Sequence, residues 1–561
     1  MAEPGTPEAG VRETKPPPAA VVPAEPGRAE RRALRVLQLG ALAAVLVAMT
    51  WKQFELDRFF VPKELVLHAT AFTGGMLALR AIGRLRFTRV DLLLIGFLIL
   101  SAASAVGAAN GWAAVRALAL TASGVVIFWT ARALRAAGLD RPLLGALAAA
   151  VVLGCVTSLL QTYGVRTEFF SLNRAPGGTL GNRNFIAHMA AFGLPIVLFV
   201  SMRAVGRVGW LSAGLGATLV AGTLVLTRSR AGFLAFAAVL GVVCIALMIS
   251  PALRSHGRAW RRLAGLVLLA TAGIAAAVKL PNSLNWRSEN PYVESLTGVA
   301  NFQEGSGRGR LVQYRQSLRM AVDNPLLGVG PGNWGVRYAD YAARGDPSLD
   351  RSEPGMTSNP WPSSDWIALV SERGFVAGAL LGLALVGIGV TAVRDILRSH
   401  DADGALAATT LVAVLVATAV AGMFDAVLLL AQPTLLMWGA AGALWTGGAS
   451  PVADESAAPS LRRGRMSTTA QLVVVAGVLF ICGVGVLRGA AQLAGMGIYA
   501  NTESTGWLER AALVDPGNYR IRLRLARPGG GLERAKRCEH ARAASALQPN
   551  AREARNLADG C

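Results

Sequence analysis

Runs of about twenty apolar residues recur along most of the chain, separated by short polar stretches rich in arginine. A helix needs roughly 20 mainly apolar residues to cross a bilayer core. About thirteen stretches qualify, near 33–51, 64–82, 90–108, 114–132, 142–162, 185–202, 209–227, 231–250, 263–279, 366–393, 405–424, 428–446 and 469–488. The pattern divides the chain into a Pro/Ala-rich segment (1–30) that should be disordered, nine spans (31–279), a long polar loop (280–365), four further spans (366–488) and a polar tail (489–561).

Within the loop the period changes. Gly307-Arg-Gly-Arg310 opens a stretch in which Leu311, Tyr314, Leu318 and Ala321 recur at helical spacing, which predicts a helix to about Val322 with these residues as an apolar face. Asp323-Asn-Pro325 ends it. Three glycines in the following Gly328-Val-Gly-Pro-Gly-Asn-Trp334 permit an unusual backbone path. In the tail, Leu513-Val-Asp-Pro-Gly-Asn518 and Leu547-Gln-Pro-Asn550 place Pro516 and Pro549 one near-tetratricopeptide period apart, which predicts TPR-like helices or two unrelated amphipathic ones.

Composition agrees with a lipid-solvated chain. Apolar residues make up 53% and charged residues 16%, against about 25% charged in soluble domains. The mean hydropathy of +0.44 points the same way. The formal charge of +21 would suit nucleic acid only if gathered on one face or tail. Instead the arginines fall in clusters between spans: Arg28 to Arg35, Arg80 to Arg89, Arg132 to Arg141, Arg203 and Arg207, Arg254 to Arg262, Arg394 and Arg398, and Arg462 to Arg465. With thirteen spans and a cytoplasmic N-terminus they all lie on one side, which places the loop and the tail outside the cytoplasm. Cys155, Cys244 and Cys482 sit in apolar runs as packed thiols, whereas Cys538 and Cys561 can pair if the tail is in an oxidising compartment.

Four motifs resemble those of the O-antigen ligase/Wzy polymerase family. They are Gly178-Thr-Leu-Gly-Asn182-Arg-Asn184, Thr227-Arg228-Ser-Arg230-Ala-Gly232, Arg310-x-x-x-Tyr314 followed by Asn324-Pro-Leu-Leu-Gly-Val-Gly-Pro-Gly-Asn333-Trp334, and Trp366 with Glu372-x-Gly374. The resemblance covers roughly 40–446. It implies a helical, GT-C-like membrane enzyme of the bacterial inner membrane in envelope polysaccharide or lipopolysaccharide biosynthesis. Such an enzyme transfers or polymerises glycan from an undecaprenyl-pyrophosphate donor onto an acceptor sugar or lipid, with inversion and without a metal or cofactor. Nucleic acid is no partner; the bilayer is, and the tail suits a protein partner.

By resemblance Arg230, Arg310 and Arg228 hold the donor pyrophosphate, with Arg308 an alternative to Arg310; the planar guanidinium keeps its charge and matches phosphate oxygens. Asn182, Asn184, Tyr314 and Asn333 would line the substrate. The family's loop histidine is missing: Ser363 and Ser364 stand at the family's His-Asn positions. Asp365 and Glu372 are therefore the expected bases, although Ser364 and Asp365 also suit a helix start. Glu353 would serve only if its loop folded back. His188, inside a span, reads as a packed histidine. Lys63 reads as an interfacial lysine and Asp425 as an interhelix hydrogen-bond partner. A non-catalytic scaffold and a lipid-linked glycan transporter are the competing classes, though the inverted repeats usual in transporters are not visible.

Overall fold

The computed structural model describes residues 26–171, 174–286, 288, 290–298, 305–447 and 466–561. Residues 1–25 and the cluster Arg462 to Arg465 lie outside them. Everything described is helix, turn or loop, apart from one isolated bridge between Leu349 and Thr357. In chain order the helices are α1 (Arg28–Leu46), α2 (Asp57–Gly83), α3 (Arg89–Val106), α4 (Gly111–Ala136), α5 (Asp140–Thr162), α6 (Arg183–Arg203), α7 (Gly206–Leu226), α8 (Arg230–Ile249), the short α9 (Pro251–Arg254) and α10 (Gly257–Lys279). The loop holds α11 (Pro291–Thr297), α12 (Gly305–Asp323) and α13 (Trp334–Arg337). Then come α14 (Asp365–Arg398), α15 (Ala402–Phe424), α16 (Ala431–Leu444) and α17 (Thr468–Asn501), with α18 (Thr505–Val514), α19 (Tyr519–Ala526), α20 (Arg534–Leu547) and α21 (Arg552–Asp559) in the tail.

Each expected apolar stretch overlaps one helix. Eleven of these are long and apolar enough to cross a membrane. The other two fall short: α1 begins with Arg28, Arg31, Arg32 and Arg35, and α16 has 14 residues. The helix connections gather on two opposite faces. On one, Arg132 reaches the carbonyls of Arg86 and Gly447, and Arg203 pairs with Asp403 at 3.0 Å. On the other, the loop meets the remaining connections: Ser283 bonds the Thr162 carbonyl and Arg228 pairs with Glu294. α8 and α10 bury little surface within the chain, so their apolar side chains are what lipid would cover.

Inside the bundle, several buried charges are matched. Asp91, fully buried, takes Trp129 Nε1 at 2.9 Å and the Arg132 guanidinium. Arg116 joins Glu64 at 2.8 Å and Asp57 at 3.2 Å. Lys63 is not interfacial: it is buried in α2, where its Nζ donates to the carbonyls of Val45 and Val47 at the open C-terminal end of α1. Cys155 and Cys482 are buried, but Cys244 is exposed on α8, contrary to the packed thiol expected.

The tail is two helical hairpins. The ends of α19 recur 33 residues later in α21, and the end of α18 recurs 33 residues later at the end of α20. Both inter-helix turns dock on the α3–α4 connection: Asp515 accepts from Trp112 Nε1 at 3.0 Å, and the Leu547 carbonyl accepts from Asn110 Nδ2 at 3.1 Å. Asn550 also donates to the Val336 carbonyl of the loop. A disulfide joins Cys538 to Cys561.

Candidate functional site

The glycine-rich loop and the head of α14 form one interlocked unit. At Gly374 (φ 80°, ψ 168°) α14 breaks, which frees carbonyls that a membrane interior cannot hydrate. The 325–334 segment takes their place. Val329 N–H donates to the Ser371 carbonyl at 3.0 Å, Gly330 N–H to Glu372 at 2.9 Å, and Phe375 N–H to Pro325 at 2.9 Å. Such close backbone contact excludes side chains: a Cβ on Gly328 would lie 2.2 Å from the Glu372 carbonyl carbon, and one on Gly374 2.3 Å from the Leu326 oxygen.

Glu372 and Asn333 hold this unit together. The Glu372 carboxylate, 2% exposed, accepts from the Gly332 N–H at 2.9 Å and the Trp334 N–H at 3.2 Å. Asn333, fully buried, exchanges two bonds with the backbone of Asn110, at 2.7 and 3.1 Å. Its side-chain amide is spent on backbone. Asp365 is likewise occupied: its carboxylate accepts from the N–H groups of Val427 at 3.0 Å and Leu428 at 2.9 Å, and so fixes the α15–α16 turn. Ser364 caps α14. Both carboxylates expected as bases are bonded to backbone N–H groups and buried.

The apolar stripe of α12 is only partly buried: Ala321 is buried and Tyr314 half-buried. Leu311, Leu318 and Val322 are exposed, while Gln313, Gln316, Ser317 and Met320 are buried. Gln313 accepts from the Ser363 N–H and donates to Ser348, and Ser317 takes Trp334 Nε1 at 2.8 Å. The Tyr314 hydroxyl lies 2.7 Å from the Ser363 carbonyl and 2.6 Å from that of Met423. Burial pushes its phenol up to about 12, with Arg310 lowering and Asp425 raising it.

Asp425 therefore shares a place with Arg310 and Tyr314, and Asn184 Nδ2 donates to it at 3.2 Å. The buried His188 ring, neither of whose nitrogens has a partner among the described residues, feels both Asp425 and Arg310. Asp425 is the residue that sequence reasoning left without a chemical role. Its signal was a single carboxylate in the turn between two apolar runs. Asn182 caps α6 through the Asn184 N–H.

The arginines divide into two kinds. Arg228 stands at φ 53°, a conformation that costs a non-glycine residue of order 1–3 kcal/mol. It is held by Glu294 at 3.0 Å, by Ser295 at 2.9 Å and by the Trp286 ring, 4.7 Å away. Arg230 and Arg310 are half-buried, yet neither forms an ion pair or hydrogen bond with a described residue. A Cβ on Gly298 would lie 2.8 Å from the Arg230 guanidinium. Arg308 is exposed. Beside Arg228 a cavity of about 880 Å3 is lined by Arg166, Arg183 and Trp286, with Glu294 as its one carboxylate among the described residues. Its net positive wall suits an anion.

Residues 215–382 match the family model described as O-antigen ligase. No curated protein matches the chain. The matched stretch includes Arg228, Arg230, Arg310, the glycine loop and Glu372; Asn184 and Asp425, which complete the cluster around Arg310, lie outside it. From its apolar helices and this match together, the chain is a polytopic, glycan-processing membrane protein that carries the O-antigen ligase family's domain.

Proposed function

We propose that this protein is an inner-membrane glycosyltransferase, a ligase or a polymerase, that moves glycan from an undecaprenyl-pyrophosphate carrier to an acceptor hydroxyl outside the cytoplasm. The basic clusters on the face opposite the loop support a cytoplasmic N-terminus and an external loop and tail. The observation that carries the reading is the pair of half-buried guanidiniums, Arg230 and Arg310, unpaired among the described residues in a chain that matches Arg116 and Arg132 with carboxylates. A departing pyrophosphate supplies the missing anion.

In this reading the acceptor oxygen bonds to the anomeric carbon from the face opposite the leaving group. The carbon–oxygen bond to phosphate breaks, and the carrier pyrophosphate departs toward Arg230, Arg310 and the adjoining Arg228. The hydroxyl proton passes to Asp425, oriented by Asn184. Asp365 and Glu372 act as positioning residues.

The test is a gene deletion complemented with wild type, Arg310→Ala or Asp425→Asn, with surface and carrier-linked glycans separated side by side. Long glycan retained on the carrier identifies a ligase, and single repeat units at the surface identify a polymerase. Neither variant should rescue. Full rescue by Arg310→Ala, or an unchanged glycan pattern in the deletion strain, would leave the scaffold reading in its place.

A further inference from the structure

A second cavity, of about 470 Å3, opens beneath the tail, between its turns, the loop, the heads of α2 and α4 and the C-terminal part of α17. That volume is ordinary for a small-molecule site, about 300–1,000 Å3. Its wall differs in kind from the arginine-lined cavity beside Arg228. Seven carboxylate side chains and five arginines line it, so it has no positive excess to hold a pyrophosphate. Arg116 is already neutralised there by Asp57 and Glu64.

The remaining features suit a hydroxyl-rich ring. Sugar hydroxyls donate to carboxylates and accept from guanidinium and amide groups, and the apolar face of a sugar ring lies flat on an aromatic ring. Phe54, Trp112, Trp361 and Tyr519 supply such rings. The polar groups at the wall are deeply buried: Arg373 is 3% exposed and Asp515 1%. Arg373 Nε has no partner among the described residues, although its terminal nitrogen reaches Thr121 Oγ1 at 3.0 Å. A buried donor left unmet beside a cavity is open to an acceptor there, a ligand hydroxyl or a water.

The tail is a wall of this cavity, contributing Asp515, Asn518, Tyr519, Arg520 and Gln548. Both of its turns are fastened to the α3–α4 connection, and a Cβ on Gly517 would lie 1.9 Å from Trp112. Such a seat fixes the wall in place. Leu429, from the turn that carries Asp425, and Trp361, two residues before Ser363, also line the cavity, so it borders the segments that build the proposed reaction site.

We infer that the cavity under the tail binds the acceptor saccharide, a glycan without pyrophosphate, and that the tail is part of the acceptor site. This rests on the transfer reading above. The test uses the full-length protein in cells, with p-benzoylphenylalanine replacing Gln548 or, in a separate protein, Asn285 of the arginine-lined cavity. After irradiation the purified protein is probed for carbohydrate and for carrier phosphate. Glycan without carrier phosphate captured at 548, with carrier-linked glycan captured at 285, is the expected result. Carrier-linked glycan or no glycan at 548, with capture at 285 intact, overturns the inference and leaves the transfer reading standing. Capture at neither position overturns both. In membranes, Arg520→Ala and Gln548→Ala should raise the KM for acceptor about tenfold, the effect of one lost hydrogen bond, and leave the KM for donor unchanged. A shift in the donor KM alone, or in neither, also overturns it.

Discussion

Glu372→Gln separates a base from an anchor. The wild-type carboxylate accepts from Gly332 N–H at 2.9 Å and Trp334 N–H at 3.2 Å in a site 2% exposed. The glutamine keeps one accepting oxygen and puts an NH2 group where the other stood. One backbone N–H is left facing a donor. A hydrogen bond to a charged group contributes about 1.5–3 kcal/mol, and an orphaned buried N–H costs about 1–3 kcal/mol. Removing the buried charge offsets part of this. We expect a net loss of roughly 2 kcal/mol, concentrated in the 325–334 loop that closes the break in α14. Glu372→Ala, which orphans both N–H groups and leaves a void, should lose about twice as much. The assay is thermal denaturation in detergent together with limited proteolysis of the loop, and the transfer rate is measured per folded molecule. The anchor role predicts a lower melting temperature, earlier cleavage near Trp334 and a nearly normal rate for the folded Gln variant. An unchanged melting temperature with a rate loss of about 10²–10⁴, the usual contribution of a general base, would refute the reasoning.

Asp425→Asn should show the opposite: a near-normal melt and a rate down by about 10²–10⁴ in the same transfer assay. Gly374→Ala must hold a Cβ 2.3 Å from the Leu326 oxygen at φ 80°, so it should cost several kcal/mol and sharply reduce folded yield by size-exclusion chromatography. Tyr314→Phe removes a donor to the carbonyls of Ser363 and Met423 and should cost about 1 kcal/mol in the melt. Because burial holds that phenol protonated up to about 12, the pH–rate profile between pH 6 and about 9 should keep its shape. His540 is pushed below the usual histidine range by burial and by Arg522 beside it. The unfolded tail then binds the proton more readily, so the stability contributed at neutral pH is lost as pH falls below about 6.5. Protease sensitivity of the tail should rise over that window in the wild type, and His540→Gln should flatten the rise.

The features legible in the sequence are those that lipid imposes. An apolar run of about twenty residues must be a helix because nothing in a bilayer core hydrates a backbone, and each such run overlaps one here. The same reasoning fails inside the runs. Gly374 sits in an apolar stretch, and its break became visible only with the 325–334 loop bonded against it. The apolar stripe of α12 is split: Ala321 is buried and Tyr314 half-buried, whereas Leu311 and Leu318 are exposed. The rest of its buried face is set by the side chains that bond the loop, here Gln313 and Ser317. Lys63 and Asp425 follow the same logic: each is a charge in or between apolar runs, and each finds its partner on another segment, the end of α1 for Lys63 and the head of α6 for Asp425, which spacing cannot reveal. In a chain of this kind the leucines locate the helices, while the isolated polar residues report what the helices are arranged around. Arg230 and Arg310, whose partners are not among the chain's described groups, are therefore the residues from which the chemistry is best read.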